Sequence, residues 1–387
     1  MRWVFVGLGA VVLVSVLALG ALVAWEWTYI DRLRRHPTNV ITDVAWYVPR
    51  EAIAGGDGAA LPRARPDEMG MRADGLEEAA KLADAKNASA LLVVRGGSVV
   101  LERHWRGHRP GDPTNSASMA KTVTSLLVGI AVGEGAIPSI DVPAATWIAA
   151  WRGDARRKIT LRHLLQMHSG LQPMGAYDEP FSDASYLAFG TDMRSVVDHI
   201  PPVAEPGAKF DYNNVNYQAL GFVLEAATGR RYAAYLSEKL WKPLGASEAS
   251  VWLDCKGGSA HASGFLFSEP ENWAKIGLML LHGGEWNGRQ IVPREYVKEL
   301  LRPSPTEPVY ALGIWLANNE HQAKEQEQPF EAPGVFYLDG HAKQRVYVVP
   351  DKDLVIVRVG ENVRGWDEAA LPNAVVRALK VTLAPAP

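Results

Sequence analysis

A single cysteine, Cys255, excludes an intrachain disulfide framework. It leaves the redox compartment open, because exported enzymes also fold without disulfides. Basic charge is not in surplus: 40 Lys and Arg stand against 43 Asp and Glu, for a net charge of −3. Basic residues are scattered rather than striped, so nucleic acid is not an expected partner. No segment of about 20–50 residues repeats, which argues against a solenoid or propeller. Gly7-Leu8-Gly9 lies inside an apolar run with no strand–turn–helix unit around it, so it is not a dinucleotide fingerprint. The 387 residues, 48% of them hydrophobic and 21% charged, suffice for one large or two modest domains with a sizeable core. The 13 Trp and 25 Pro suit a loop-rich enzyme better than a helical array.

The N-terminus carries the one long apolar run. Trp3–Trp25 is 23 residues without a charge, and Ser15 is its clearest polar side chain. At about 1.5 Å per residue such a helix spans roughly the 30 Å core of a bilayer. Ala18-Leu19-Gly20 is a weak small-x-small site, but apolar residues continue past it, which favours an uncleaved anchor over a cleaved signal. Trp25, Trp27 and Tyr29 suit the membrane interface. Arg32, Arg34 and Arg35 outnumber Arg2, and charge alone would hold the following domain inside. An exported, periplasmic or extracytoplasmic domain behind a signal-anchor is the expectation carried forward. Residues 1–27 are thus expected to be an anchor. Pro37, Pro49, Gly55-Gly56-Asp57-Gly58, Pro62 and Pro66 make residues 28–66 read as a tether.

Beyond the tether, Gly75–Ala88 has helical spacing. Ala90–Val94 and Ser98–Glu102 flank Arg95-Gly96-Gly97 as a hairpin. Helices are expected at Arg162–Met167, Tyr217–Thr228, Arg231–Leu240, Glu271–His282 and Pro293–Leu301. Strand character returns at Val309–Ala317, Gly334–Leu338, Gln344–Val349 and Leu354–Val359, before a helical pattern over Glu368–Leu383. Strands at both ends with helices between them predict an α+β fold. One antiparallel sheet is closed by the two terminal parts of a domain spanning residues 67–387. A mostly helical lobe is inserted at roughly 135–300.

The chemistry centres on Ser118-Met119-Ala120-Lys121. A serine needs a neighbouring base to become a nucleophile. On a helix, residues three apart share a face with Cβ atoms about 5–6 Å apart, so the lysine reaches back to the hydroxyl. A first-turn serine also sits among unsatisfied backbone N–H groups, where an oxyanion is stabilised. Ser-x-x-Lys alone is common by chance. Tyr212-Asn213-Asn214, ahead of a helix, adds a phenol able to carry a proton to a leaving group. Packing of Tyr212, with Asn214 capping that helix, is the plainer alternative.

Ser118–Lys121, Tyr212-x-Asn214 and the strand near Gly340 together resemble the serine β-lactamase and penicillin-binding-protein superfamily. The likeness is greatest to its class C-like esterases, D-peptidases and 6-aminohexanoate-dimer hydrolases. Ile159–Leu171, Tyr212–Gly221 and Gly283–Ile291 extend the resemblance over about residues 70 to 380. It implies a β-lactamase/transpeptidase-like fold and an acyl-enzyme hydrolase acting on a small ester, amide or peptide substrate, with no cofactor or metal. Penicillin binding, D-peptidase or β-lactamase activity, or a non-catalytic sensor, are the alternatives. By the same resemblance Ser118 is the acylated nucleophile, Lys121 its proton partner and Tyr212 the general base and acid. Asn214 binds the substrate amide or carbonyl and steadies Lys121.

The third family motif, Lys-Thr-Gly or His-Thr-Gly, has Leu338-Asp339-Gly340 as its counterpart. Its glycine is kept, but Leu338 replaces the cationic or imidazole side chain that recognises a carboxylate in the family. His341 is then the second oxyanion N–H, alongside that of Ser118. A shifted register, His341-Ala342-Lys343, is the alternative, and Lys343 replaces a commonly small residue. His104 and His108 lack the partners for a metal site. His163 and His168 read as fixing a helix and its following turn. Asp178, Glu179 and Asp183 read as surface charges in a loop-like stretch, Gly170 to Gly190, with overhang of the site as the alternative. Trp315 reads as acyl-pocket lining or core.

Overall fold

The computed structural model describes residues 26–321 and 325–380. The chain opens with α1 (Trp27–Arg34), β1 (Arg50–Ile53), α2 (Ala73–Ala85), β2 (Ala88–Arg95) and β3 (Ser98–His104). Then come β4 (Thr114–Asn115), α3 (Ala120–Gly133), α4 (Leu161–Leu165), α5 (Asp183–Phe189), α6 (Met193–His199), α7 (Asn214–Thr228) and α8 (Tyr232–Leu236). β5 (Ala249–Trp252), β6 (Leu266–Ser268), α9 (Pro270–Leu281), the hairpin β7 (Glu285–Trp286) and β8 (Arg289–Gln290), and α10 (Arg294–Leu300) follow. The chain closes with β9 (Trp315–Leu316), β10 (Phe336–Gly340), β11 (Gln344–Val349), β12 (Leu354–Gly360) and α11 (Ala370–Arg377).

The main sheet has the order β3-β2-β12-β11-β10-β9, with every pair antiparallel. N-terminal and C-terminal strands therefore close one sheet, and the helical segments between them form the lobe. Both faces are covered, which explains the nearly continuous Val, Ile and Leu runs. Leu92, Val94, Val346, Val348, Val355 and Val357 pack with α3, α7 and α9 on one face. Leu91, Val93, Tyr347, Val349, Leu354 and Ile356 pack with α2 and α11 on the other. Alternation with period two sorts neighbouring residues between the two cores.

The expectation of a loose tether over residues 28–66 is overturned. β1 pairs with β5 in a second sheet of order β1-β5-β6-β4. Tyr29, Val44 and Tyr47 are buried with Phe189, Trp252 and Phe267 in an aromatic cluster of their own. The Tyr29 hydroxyl bonds Ser185 Oγ at 2.8 Å, and Arg32 Nη1 donates to the carbonyl oxygens of Phe189 and Gly190. Glycines and prolines punctuate this stretch, but its aromatic residues bury enough surface to order it. The expected anchor, Trp3–Trp25, lies outside the described residues. Among the described residues no helix is long and apolar enough to cross a membrane.

Candidate active site

Ser118 stands on a short 3₁₀ turn, Ala117–Met119, that runs directly into α3. The turn is strapped to β6: Ser116 N donates to Leu266 O at 2.8 Å, and Leu266 N donates to Ser116 Oγ at 3.2 Å. Ala117 is held at φ 46°, with its N–H on Asn115 Oδ1 at 2.9 Å. A non-glycine residue in the left-handed region is strained, and neighbouring contacts must hold it there. α3 is apolar nearly all round and buried on almost every side, so Lys121 in its first turn is only 2% exposed.

The structure brings the first pair together. Lys121 Nζ and Ser118 Oγ share a 2.8 Å hydrogen bond, and Nζ also donates to Ser263 O at 2.8 Å. Burial pushes the lysine down to about 7, with Asp339 opposing the shift. An amine neutral near pH 7 has a lone pair for the hydroxyl it touches and a proton for the Ser263 carbonyl. Ser263 has no counterpart among the residues picked from sequence; a backbone carbonyl gives no signal in residue type.

Tyr212 is held at the mouth of α7. Asn213, not Asn214, caps that helix: its Oδ1 accepts from Val215 N at 3.1 Å, and its Nδ2 donates to Gln172 O at 2.9 Å. Asp211 N donates to Met167 O at 2.7 Å, and Tyr217 Oη donates to Leu165 O at 2.8 Å. The turn after α4 thus positions the tyrosine loop, which explains why those two stretches go together. The Tyr212 ring lies 5.1 Å from Lys121 Nζ and stacks on Trp315 at 6.1 Å between centroids. Tyr212 as a whole is 38% exposed. Burial, with Tyr310 and Asp339 nearby, holds the phenol well above its ordinary range, and the contact with Ser118 opposes this. In this state Tyr212 is protonated.

Asn214 lines the cleft beside Ser118, with Oδ1 buried and unpartnered. No hydrogen bond joins it to Lys121, so its expected steadying contact is absent here. Gly340 closes the other side. A Cβ there would come 2.5 Å from Ser116 O, so β10 lies against the nucleophile turn only because the residue is glycine. Gly340→Ala is expected to lower kcat/KM on an ester substrate about 100-fold by displacing this edge. Steady-state kinetics beside a thermal melt checks it; unchanged kinetics would contradict it.

Leu338 faces the core, so no charge enters the cleft at that position. Asp339 reaches it instead and is salt-bridged to Arg345 across the β10–β11 register. The shifted register fails: His341–Lys343 is the turn between β10 and β11, with Ala342 and Lys343 at φ 58° and 64°. Arg358, fully buried, donates Nη1 to both their carbonyl oxygens at 2.7 and 2.8 Å. Lys343 turns to Glu325, not into the cleft. His341 lines the cleft with Ser118.

His163 Nδ1 accepts from Thr160 N in a capping box on α4, and His168 Nδ1 lies 3.2 Å from Thr306 Oγ1. His104 bonds Glu102 and His108, and no group of three metal-ligating side chains occurs among the described residues. From the Gly170–Gly190 stretch Tyr177 lines both cavities that border Ser118, and Asp178, Glu179 and Asp183 line neither. Trp315 lines the cleft on the Tyr212 side.

Comparison with known proteins identifies the family and the fold. The family model described as Beta-lactamase matches residues 78–378. A 6-aminohexanoate-dimer hydrolase from Paenarthrobacter ureafaciens is 26% identical over 267 residues, covering 66% of this chain and 67% of that protein. A solved structure from Bacillus anthracis, provisionally named as the same kind of hydrolase, superposes with TM-score 0.71 at 22% identity. It covers 87% of this chain and 91% of its own. A family VIII carboxylesterase structure superposes at TM-score 0.61 and 16% identity, over 79% of this chain and 97% of its own.

Proposed function

This chain belongs to the beta-lactamase family, and on that premise we propose that it cleaves esters or amides through an acyl-enzyme on Ser118. The family's members are serine hydrolases. The observation that carries the assignment is the 2.8 Å contact between Ser118 Oγ and a buried amine held near neutrality. Lys121 takes the hydroxyl proton as Oγ attacks the carbonyl carbon. The N–H groups of Ser118 and His341 receive the oxyanion. Tyr212, protonated in the resting state, gives its proton to the leaving oxygen or nitrogen as the acyl bond breaks and is reprotonated from Lys121. Water then attacks the acyl-serine with the same groups in reverse.

The sign of the pH dependence follows from the amine. Below about 7 Lys121 is an ammonium without a lone pair, so kcat/KM falls about tenfold per pH unit there and levels off above. Tyr212→Phe is expected to cost about 100- to 1000-fold while keeping that limb. Initial rates on p-nitrophenyl butyrate from pH 5 to 9 test both. A flat profile, or full activity in Tyr212→Phe, would remove these roles.

The charge-free run Trp3–Trp25 supports the further proposal of a membrane-anchored enzyme with its catalytic domain exported. Release of the full-length chain from membranes by alkaline carbonate would argue against the anchor, and degradation-resistance of the domain to protease in spheroplasts against its export.

A further inference from the structure

Two cavities meet at Ser118, and Tyr212 lines only one of them. The larger, of about 460 Å³, holds Tyr212, Trp315 and the carboxylates of Asp211 and Asp339. The smaller, of about 230 Å³, is walled by Val40, Ile41, Leu187, Ala188, Phe189 and Phe265, and no Asp, Glu, Lys or Arg lines it. Ser118, Asn214 and His341 border both, so a scissile carbonyl sits at the junction. The proton donor must face the leaving atom. The leaving group therefore occupies the Tyr212 side, and the acyl part is left with the apolar side.

One wall of the apolar cavity comes from residues 36–47, ahead of the 78–378 region that matches the family. That wall is fixed to the strand that leads into the nucleophile turn. Asn115 N donates to Ile41 O at 2.9 Å, and Asn115 Nδ2 donates to Val40 O at 3.1 Å. The Glu361 carboxylate accepts from Ile41 N and Thr42 N, at 3.1 and 2.9 Å to Oε1. His261, at the back, is 1% exposed with Nε2 unpartnered. Burial and the nearby Arg32 push it down to about 3, so it adds no charge at neutral pH. An apolar protein cavity of about 150 Å³ admits benzene. On that scale about 230 Å³ suits a chain of roughly six to eight carbons.

We propose that the 36–47 segment converts this cavity into an acyl-binding pocket, making the preferred substrate an ester or amide of an uncharged, medium-length apolar acid. The inference rests on the acyl-enzyme reading above and deepens it. The test is kcat/KM of the purified full chain on p-nitrophenyl acetate, hexanoate, octanoate and palmitate, with Ala188→Phe and Val40→Phe alongside. The parent is expected to gain at least about tenfold from acetate to hexanoate or octanoate and to lose it at palmitate. Each variant should lower the octanoate-to-acetate ratio about tenfold, and because a ratio is read, a partly folded variant still informs. A flat series in the parent, or ratios unmoved in both variants, overturns the pocket assignment. Hydrolysis surviving in Ser118→Ala would instead overturn the underlying reading, so the two failures are distinguishable.

Discussion

Ser118→Ala is expected to lower kcat/KM for p-nitrophenyl hexanoate by about 10⁴-fold or more, leaving far-UV circular dichroism and the melting temperature nearly unchanged. Loss of a serine nucleophile removes the acyl-enzyme route, and what survives is binding and oxyanion stabilisation. The structural cost is small because the Ser118 hydroxyl meets only the site side chains Lys121 and Tyr212, and Lys121 Nζ keeps its bond to Ser263 O. The turn itself is held by Asn115, Ser116 and β6 through contacts that do not involve the Ser118 hydroxyl. Lys121→Met removes the base from the other side of the same contact and abolishes the acidic limb of the pH profile. Activity in Ser118→Ala within about tenfold of the parent would contradict the assignment.

Arg345→Leu is expected to destabilise the fold by about 3–5 kcal/mol at pH 7. Arg345 is buried on β11, with Nε and Nη2 each 2.7 Å from the Glu368 carboxylate and a further ion pair to Asp339. Tyr347 Oη and Trp366 Nε1 also donate to Glu368, at 2.6 and 3.2 Å. Burial opposes ionisation of Glu368, yet Arg345 and these donors hold it below the usual carboxylate range. Its contribution to stability is therefore present above the unfolded pKa of about 4.3 and is lost as pH falls through the lower folded value. Without Arg345 the buried Glu368 carboxylate stands without its cation, whereas Arg345→Leu with Glu368→Gln removes both charges of that pair and recovers part of the loss, Asp339 still lacking its partner. Urea denaturation at pH 7 checks this. A cost below about 1 kcal/mol for the single change, or no recovery in the double, would contradict it.

Pattern and spacing made part of this molecule readable. β2 and β3 follow from apolar runs flanking the Arg95-Gly96-Gly97 turn, and β11 and β12 from Val-rich runs around Pro350–Asp353, because both sheet faces are buried. The Ser118–Lys121 pair was legible for a different reason: helical spacing alone sets which side chains meet. What depended on long-range packing was not legible. The aromatic residues of 28–66 find their partners on α5, β5 and β6, some 140 to 220 residues away, so proline and glycine punctuation misread them as a tether. Val309–Ala317 is strand only at Trp315–Leu316, since Tyr310 and Gly313, at φ 77°, turn the chain back toward α3. The helix expected over Glu368–Leu383 is described only as Ala370–Arg377, because Glu368 is engaged by Arg345 and Leu379 bridges to Met71. Residues 381–383 lie outside the described chain. Ser263, offering a carbonyl, and Asp339, aimed by its strand register, became visible only once the sheet edge and the turn were placed side by side.

Intact-mass spectrometry of the purified chain after exposure to a fluorophosphonate, followed by peptide mapping, shows whether Ser118 is the nucleophile. One phosphonyl adduct per molecule is expected, on the peptide carrying Ser118, forming more slowly below about pH 7. No adduct, or an adduct of equal yield in Ser118→Ala, would contradict it.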